Sequence, residues 1–164
     1  IQRAPTAGHI WNYAGLNPGV TWSRGEKRPW NARLKVLCWK IGESFVKVSG
    51  YDDAYYGKLY VQRKQQELDR NESGDLAAQA AAALEKKSFR RETTAKAAYE
   101  QGKLPPAHIH ARACRWTTKL FLSHFHYVLF EDTFREAPPV PYAIAHLGHA
   151  HLLKPPGWPM SIDV

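Results

Sequence analysis

Ser23 stands in the run Trp22-Ser23-Arg24-Gly25-Glu26-Lys27-Arg28-Pro29-Trp30, between two tryptophans and beside three cations. A serine hydroxyl becomes a nucleophile when neighbouring groups hold the electrophile and offset the charge that develops in the transition state. Arg24, Lys27 and Arg28 are residue types that hold a phosphate, and Gly25 lets the backbone approach one closely. No histidine paired with a carboxylate lies near in sequence, so a Ser-His-Asp arrangement is not indicated. Two readings stay open from spacing: a phosphate-attacking nucleophile, or a turn serine beside a phosphate-contacting loop.

The surrounding charge favours phosphate. Between Arg24 and Lys47 seven cations face two acids, a local +5 within a formal chain charge of +8. Lysine and arginine displace the counterions condensed on a polynucleotide, so nucleic acid is the expected partner, with an anionic membrane surface as the rival and a solvated basic face as the plain alternative. Arg33 and Lys40 extend this cationic region. Arg112, Arg115 and Lys119 make a second basic face at helical spacing, in a stretch without an acid before Glu131. Trp11, Trp22, Trp30 and Trp39 crowd the first forty residues. Among cations they suit base stacking or cation–π contacts, whereas Trp39, on a helix, reads as core.

The histidines are the other candidates. His108/His110 and His124/His126 are two residues apart, which on a helix points the side chains to nearly opposite sides. His146/His149 suit one helical face and His149/His151 one strand face. With no accompanying cysteine or nearby carboxylate read beside them, no residue is assigned to a metal, and packing or phosphate contact is expected.

The elements that must position these residues follow from periodicity and breakers. The expected fold is mainly α: a compact helical domain with a basic, turn-rich N-terminal loop, a helical hairpin insertion and an extended Pro-rich tail. At 164 residues one domain is expected over 1–164. Its subregions are 1–50 with the serine loop and basic helix, 51–103 with the helical insertion, and 104–164 with the long helix and tail. His9–Ala14 reads as a short helix stopped by Gly15, with Thr6 as its cap. Asn17-Pro18-Gly19 is a turn, and Val20–Trp22 a short strand. Asn31 caps a helix from about Ala32 to Val48, where Leu34, Leu37, Cys38, Ile41, Phe45 and Val48 recur at three- and four-residue steps. Leu34, Leu37, Ile41 and Phe45 are expected buried, and Lys40 and Lys47 exposed. Tyrosine-rich 52–70, alanine-rich 76–87, a short helix from Thr93 or Thr94 to Gly102, and a long helix over 107–130 follow. Cys38 and Cys114 read as buried thiols of a reducing compartment, not as a disulfide or zinc knuckle. No apolar run approaches the roughly 20 residues that span a bilayer, and no signal-peptide pattern is read.

Gly15-Leu16-Asn17-Pro18, then Ser23-Arg24-Gly25-Glu26-Lys27, then the helix entered at Asn31 resemble the C-terminal transposase domain of the insertion-sequence-one-ten family, the bridge-RNA-guided serine transposases of bacteria and archaea. Gly42–Lys47, Lys103–Arg112 and Ala145–His151 look like a branch of that family with a long C-terminal extension. The resemblance implies that Ser23 attacks a DNA phosphate to form a phosphoserine link during transposition. It implies Arg24, Lys27 and Arg28 as phosphate contacts, a structured guide RNA, a homo-oligomer in the full-length protein, and a cytoplasmic, nucleoid-associated setting. It places Mg²⁺ on four acidic residues of a separate ribonuclease-H-type domain. No such acidic constellation, and no preceding helix-hairpin-helix-like segment, is legible here. The expectation is therefore a part of a longer protein, starting at Ile1 and inactive when isolated. A non-catalytic nucleic-acid-binding module is the alternative, and a metal-dependent hydrolase built on the C-terminal histidines a further one.

Overall fold

The computed structural model describes residues 1–86, 88–139 and 153–159. Six helices appear in this order: α1 (Ala7–Tyr13), α2 (Ala32–Lys47), α3 (Tyr55–Glu72), α4 (Ala77–Lys86), α5 (Thr94–Glu100) and α6 (Pro106–Phe134). The mainly helical class is as expected. The strand expected at Val20–Trp22 is not there, and no strand occurs among the described residues. Trp22 instead turns its indole N–H to the Glu26 carbonyl at 2.8 Å, a local bond that an isolated strand does not offer. His146, His149 and His151 lie outside the described residues.

Local chemistry explains the helix ends. Asn31 Oδ1 accepts the Leu34 N–H at 2.9 Å and caps α2, and Thr93 Oγ1 does the same for Lys96 N–H at 3.1 Å in α5. Thr6 stands at the α1 cap position, but its hydroxyl pairs with His9 Nδ1 at 2.9 Å and caps no backbone N–H. At the other end of α1, Leu16 N–H reaches Trp11 O at 2.8 Å and Gly15 N–H reaches Asn12 O at 3.0 Å. That bond pair needs a left-handed residue just past the helix, and Gly15 supplies it at φ 67°.

The chain forms two compact units. The first comprises Ile1–Gly42 and the chain from Thr118 onward. Its buried centre is Ala14, Cys38 and Leu122, covered by Ile10, Trp11, Leu16, Leu34 and Phe121. Trp11 donates its indole N–H to Lys119 O at 3.0 Å, and the Lys119 ammonium lies 4.2 Å from the Trp11 ring centre. His126 Nε2 bonds Ala4 O and His124 Nε2 bonds Leu153 O, both at 2.7 Å.

The second unit is Glu43–Thr117. Leu76, Ala80, Tyr99, Leu104 and Ile109 form its core, packed by Leu68, Ala83, Leu84, Phe89 and Ala95. Buried Asn71 clamps the α5–α6 link by bonding both the N–H (2.8 Å) and the carbonyl (3.0 Å) of Leu104. Glu67 is the largest departure from an apolar interior. Its side chain is 1% exposed and accepts from Arg112 Nε at 2.6 Å and from Arg63, with Arg70 at 3.8 Å. Burial pushes the Glu67 carboxyl up, but the hydrogen bond from Arg112 and the charges of Arg63 and Arg112 prevail and hold it below the usual carboxylate range.

The apolar face of α2 needs correction. Leu34, Cys38, Ile41, Gly42 and Phe45 are buried or half-buried, and Lys40 and Lys47 are exposed as expected. Leu37 is 51% and Trp39 64% exposed, against the expectation that both pack inward. At 3.6 residues per turn each stands about 100° from Cys38, on opposite flanks of the buried stripe. The helix carries more apolar residues than one stripe can bury.

Candidate nucleic-acid interface

The loop between α1 and α2 lies wholly in the first unit. Asn17 Oδ1 accepts the Gly19 N–H at 2.9 Å and shapes the Asn-Pro-Gly turn. Ser23 opens the next turn. Glu26 N–H donates to Ser23 O at 3.2 Å, and Ser23 N–H donates to Glu26 Oε2 at 3.0 Å. Gly25, third in that turn, has φ 98°, a conformation costly for any residue with a side chain. The nearest carboxylate in sequence therefore holds the Ser23 backbone N–H through one of its two oxygens. The serine residue itself is exposed.

Two tryptophans anchor the loop. Trp22 and Trp30 meet edge to face, with ring centres 6.1 Å apart at 64°. Arg28 lies over Trp22 at 5.5 Å and Lys35 over Trp30 at 3.9 Å. Gly15 holds the base of this arrangement: a Cβ there would stand 2.7 Å from Trp30 Cγ. Asn31 ties the loop end back to α1 by donating its backbone N–H to the Tyr13 carbonyl and its side-chain amide N–H to the Tyr13 hydroxyl, both at 2.9 Å. The cations are thus displayed on a platform with fixed ends. An exposed guanidinium stacked on an indole is a suitable surface for a phosphate with a base beside it.

The structure treats the sequence candidates unequally. Ser23, Arg24, Lys27, Arg28, Arg33 and Lys40 are all exposed and all in the first unit. Lys119 is half-buried against Trp11, and burial lowers its ammonium pKa. Arg112 and Arg115 belong to the second unit. Arg115 is exposed, whereas the Arg112 guanidinium is held by Glu67 and by Gln79 Oε1. Lys35, one of the seven cations counted from the sequence but not named as a contact, joins the platform over Trp30.

One further cluster was not assembled from sequence. Glu43, His110 and Cys114 bring their donor atoms within 4.8 Å of one another in the second unit. Against the reading that no cysteine accompanies the histidines, Cys114 lies one helical turn from His110 on the same face, while Glu43 lies 67 positions from His110. Comparison with family models, curated proteins and solved structures finds no match for this chain. No helix among the described residues is long and apolar enough to cross a membrane.

Proposed function

We propose that this chain is the DNA-binding and strand-transfer part of a serine transposase, with Ser23 as the nucleophile. The observation that supports it most is the exposed Ser23 at the head of a pinned turn, flanked by exposed Arg24, Lys27 and Arg28. Those cations orient a DNA phosphate and offset charge in the transition state. In the step, the Ser23 Oγ–P bond forms and the bond from phosphorus to the leaving deoxyribose oxygen breaks. The serine proton passes to a base of the partner domain or to solvent, and the leaving oxygen takes up a proton from solvent.

The Mg²⁺ of the proposed mechanism belongs to a partner domain. Where bound by acidic residues there, it supplies Lewis-acid stabilisation of phosphate oxygens. Among the described residues the sole three-donor cluster carries one carboxylate, one imidazole and one thiol, which does not suit an octahedral all-oxygen ion. DNA, a structured guide RNA and a second copy of the full-length protein are the proposed partners.

The test is a denaturing gel. The chain joined to its upstream domain, with guide RNA, DNA and Mg²⁺, should yield a covalent protein–DNA band that Ser23→Ala abolishes. Binding should survive that substitution and weaken with salt by a log–log slope of roughly −0.9 per phosphate contacted. An adduct that persists in Ser23→Ala refutes the assignment. Recombination unchanged by Ser23→Ala favours the non-catalytic module, which would use the same exposed cations.

A further inference from the structure

We infer that Glu43, His110 and Cys114 form a binding site for a thiophilic divalent cation of the zinc type, independent of the DNA-binding reading. His110 Nε2 lies 3.5 Å from Glu43 Oε1 and 3.6 Å from Cys114 Sγ. The first is a loose ion-pair distance and the second a weak sulfur hydrogen bond, so an ion drawing the three donors together displaces only weak contacts. They match the edges of a coordination tetrahedron. Zinc bonds of about 2.1 Å to nitrogen or oxygen and about 2.3 Å to sulfur, at tetrahedral angles, separate the ligand atoms by roughly 3.4–3.6 Å.

The backbone supports that geometry. His110 and Cys114 are one turn apart on α6, so both side chains leave the same face. Glu43 comes from α2. His110 and Glu43 side chains are 36% and 31% exposed, which gives an ion an entry path and leaves a fourth position for water. Behind the imidazole, the buried Tyr60 hydroxyl lies 2.8 Å from Nδ1, with the two rings edge to face at 5.7 Å. If Nδ1–H donates to the phenol oxygen, Nε2 keeps its lone pair for the ion. This is the usual outer-shell device for a metal-bound histidine. Thiolate, imidazole and carboxylate together favour zinc over magnesium or calcium.

Binding must also deprotonate Cys114. Burial, and then the Glu43 charge, push its thiol up to about 11, against the weaker opposing charges of Arg115 and Lys64. The S–H bond breaks, the metal–sulfur bond forms, and one proton goes to solvent. The groups facing the thiol are Glu43 from α2, Tyr60 and Lys64 from α3, and His110 and Arg115 from α6.

The test uses the 164-residue chain, stripped of metal, with zinc alone and with cobalt(II) alone. One equivalent of zinc should bind in competition with a chromophoric chelator. Cobalt should give the intense visible bands of a tetrahedral site and a near-ultraviolet thiolate-to-cobalt band. Cys114→Ser should remove the latter. Glu43→Gln, His110→Ala and Cys114→Ser should each weaken zinc at least a hundredfold, and Tyr60→Phe by about 10–100-fold. Cys38→Ser, and joint replacement of His146, His149 and His151 by alanine, should change nothing. Circular dichroism checks that each variant folds. Should Cys114→Ser fail to fold, the wild-type cobalt spectrum decides, because lack of a thiolate band rejects the site. Absence of zinc binding, or zinc lost with the C-terminal histidines and kept in Cys114→Ser, overturns the inference.

Discussion

Glu67→Gln should be among the most damaging single substitutions in the second unit. The wild-type carboxylate is 1% exposed and is the shared counter-ion of Arg63 and Arg112, whose side chains are 24% and 20% exposed. Gln keeps the shape but removes the charge, which leaves two largely buried guanidiniums uncompensated. Removing one partner of a buried pair costs about 3–5 kcal/mol, and the partial exposure of both arginines places the effect near 3 kcal/mol. Against a typical domain stability of about 5–15 kcal/mol, that shifts a urea midpoint plainly. The acid limb provides a second readout. A carboxyl held below its unfolded value adds stability that is present above that value and is lost as pH falls through the folded pKa. Wild-type stability should therefore fall below about pH 4.3 more steeply than that of Glu67→Gln. Joint replacement of Glu67, Arg63 and Arg112 by leucine or methionine should recover most of the loss, since apolar isosteres tolerate such sites. Urea unfolding followed by circular dichroism at pH 7 and at pH 3 to 5 measures all three. A loss under about 1 kcal/mol at pH 7, or an unchanged acid slope, would refute the reasoning that this carboxylate compensates both arginines.

Three further outcomes are expected. Gly15→Ala combines φ 67° with a Cβ 2.7 Å from Trp30 Cγ, so it should cost about 1–3 kcal/mol and weaken DNA binding, by unfolding and by fluorescence anisotropy. Ile109→Ala, at a site 1% exposed, should cost about 2–5 kcal/mol, while Leu37→Ala, 51% exposed, should cost under about 1 kcal/mol in the same unfolding assay. Burial lowers the pKa of His124 and His126, against weaker raising by their carbonyl partners. An unfolded histidine takes up a proton near pH 6.5 that the folded one refuses, so stability should decline as pH falls from 7.5 to 5.5. His126→Gln should flatten that decline, measured by urea midpoints.

Much of the secondary structure was written locally. Helices α2 and α5 begin where Asn31 and Thr93 place an acceptor for a backbone N–H three residues on, and α1 stops where Gly15 takes a conformation other residues resist. Such signals act within one turn, so they survive without knowledge of the fold. The basic loop was equally legible, because charge and turn residues sit together in the chain. Which flank of α2 is covered was not, since Leu37 and Trp39 are as apolar as Leu34 and only packing partners decide among them. Arg112 looked like a phosphate contact, yet Glu67, forty-five residues earlier, holds its guanidinium. Glu43 reaches His110 and Cys114 by the same kind of long-range meeting. Residue type and spacing determine helix, cap and charge, whereas the partner of each polar group is decided by how helices far apart in sequence pack, because a hydrogen bond or ion pair acts only across a few ångströms of space.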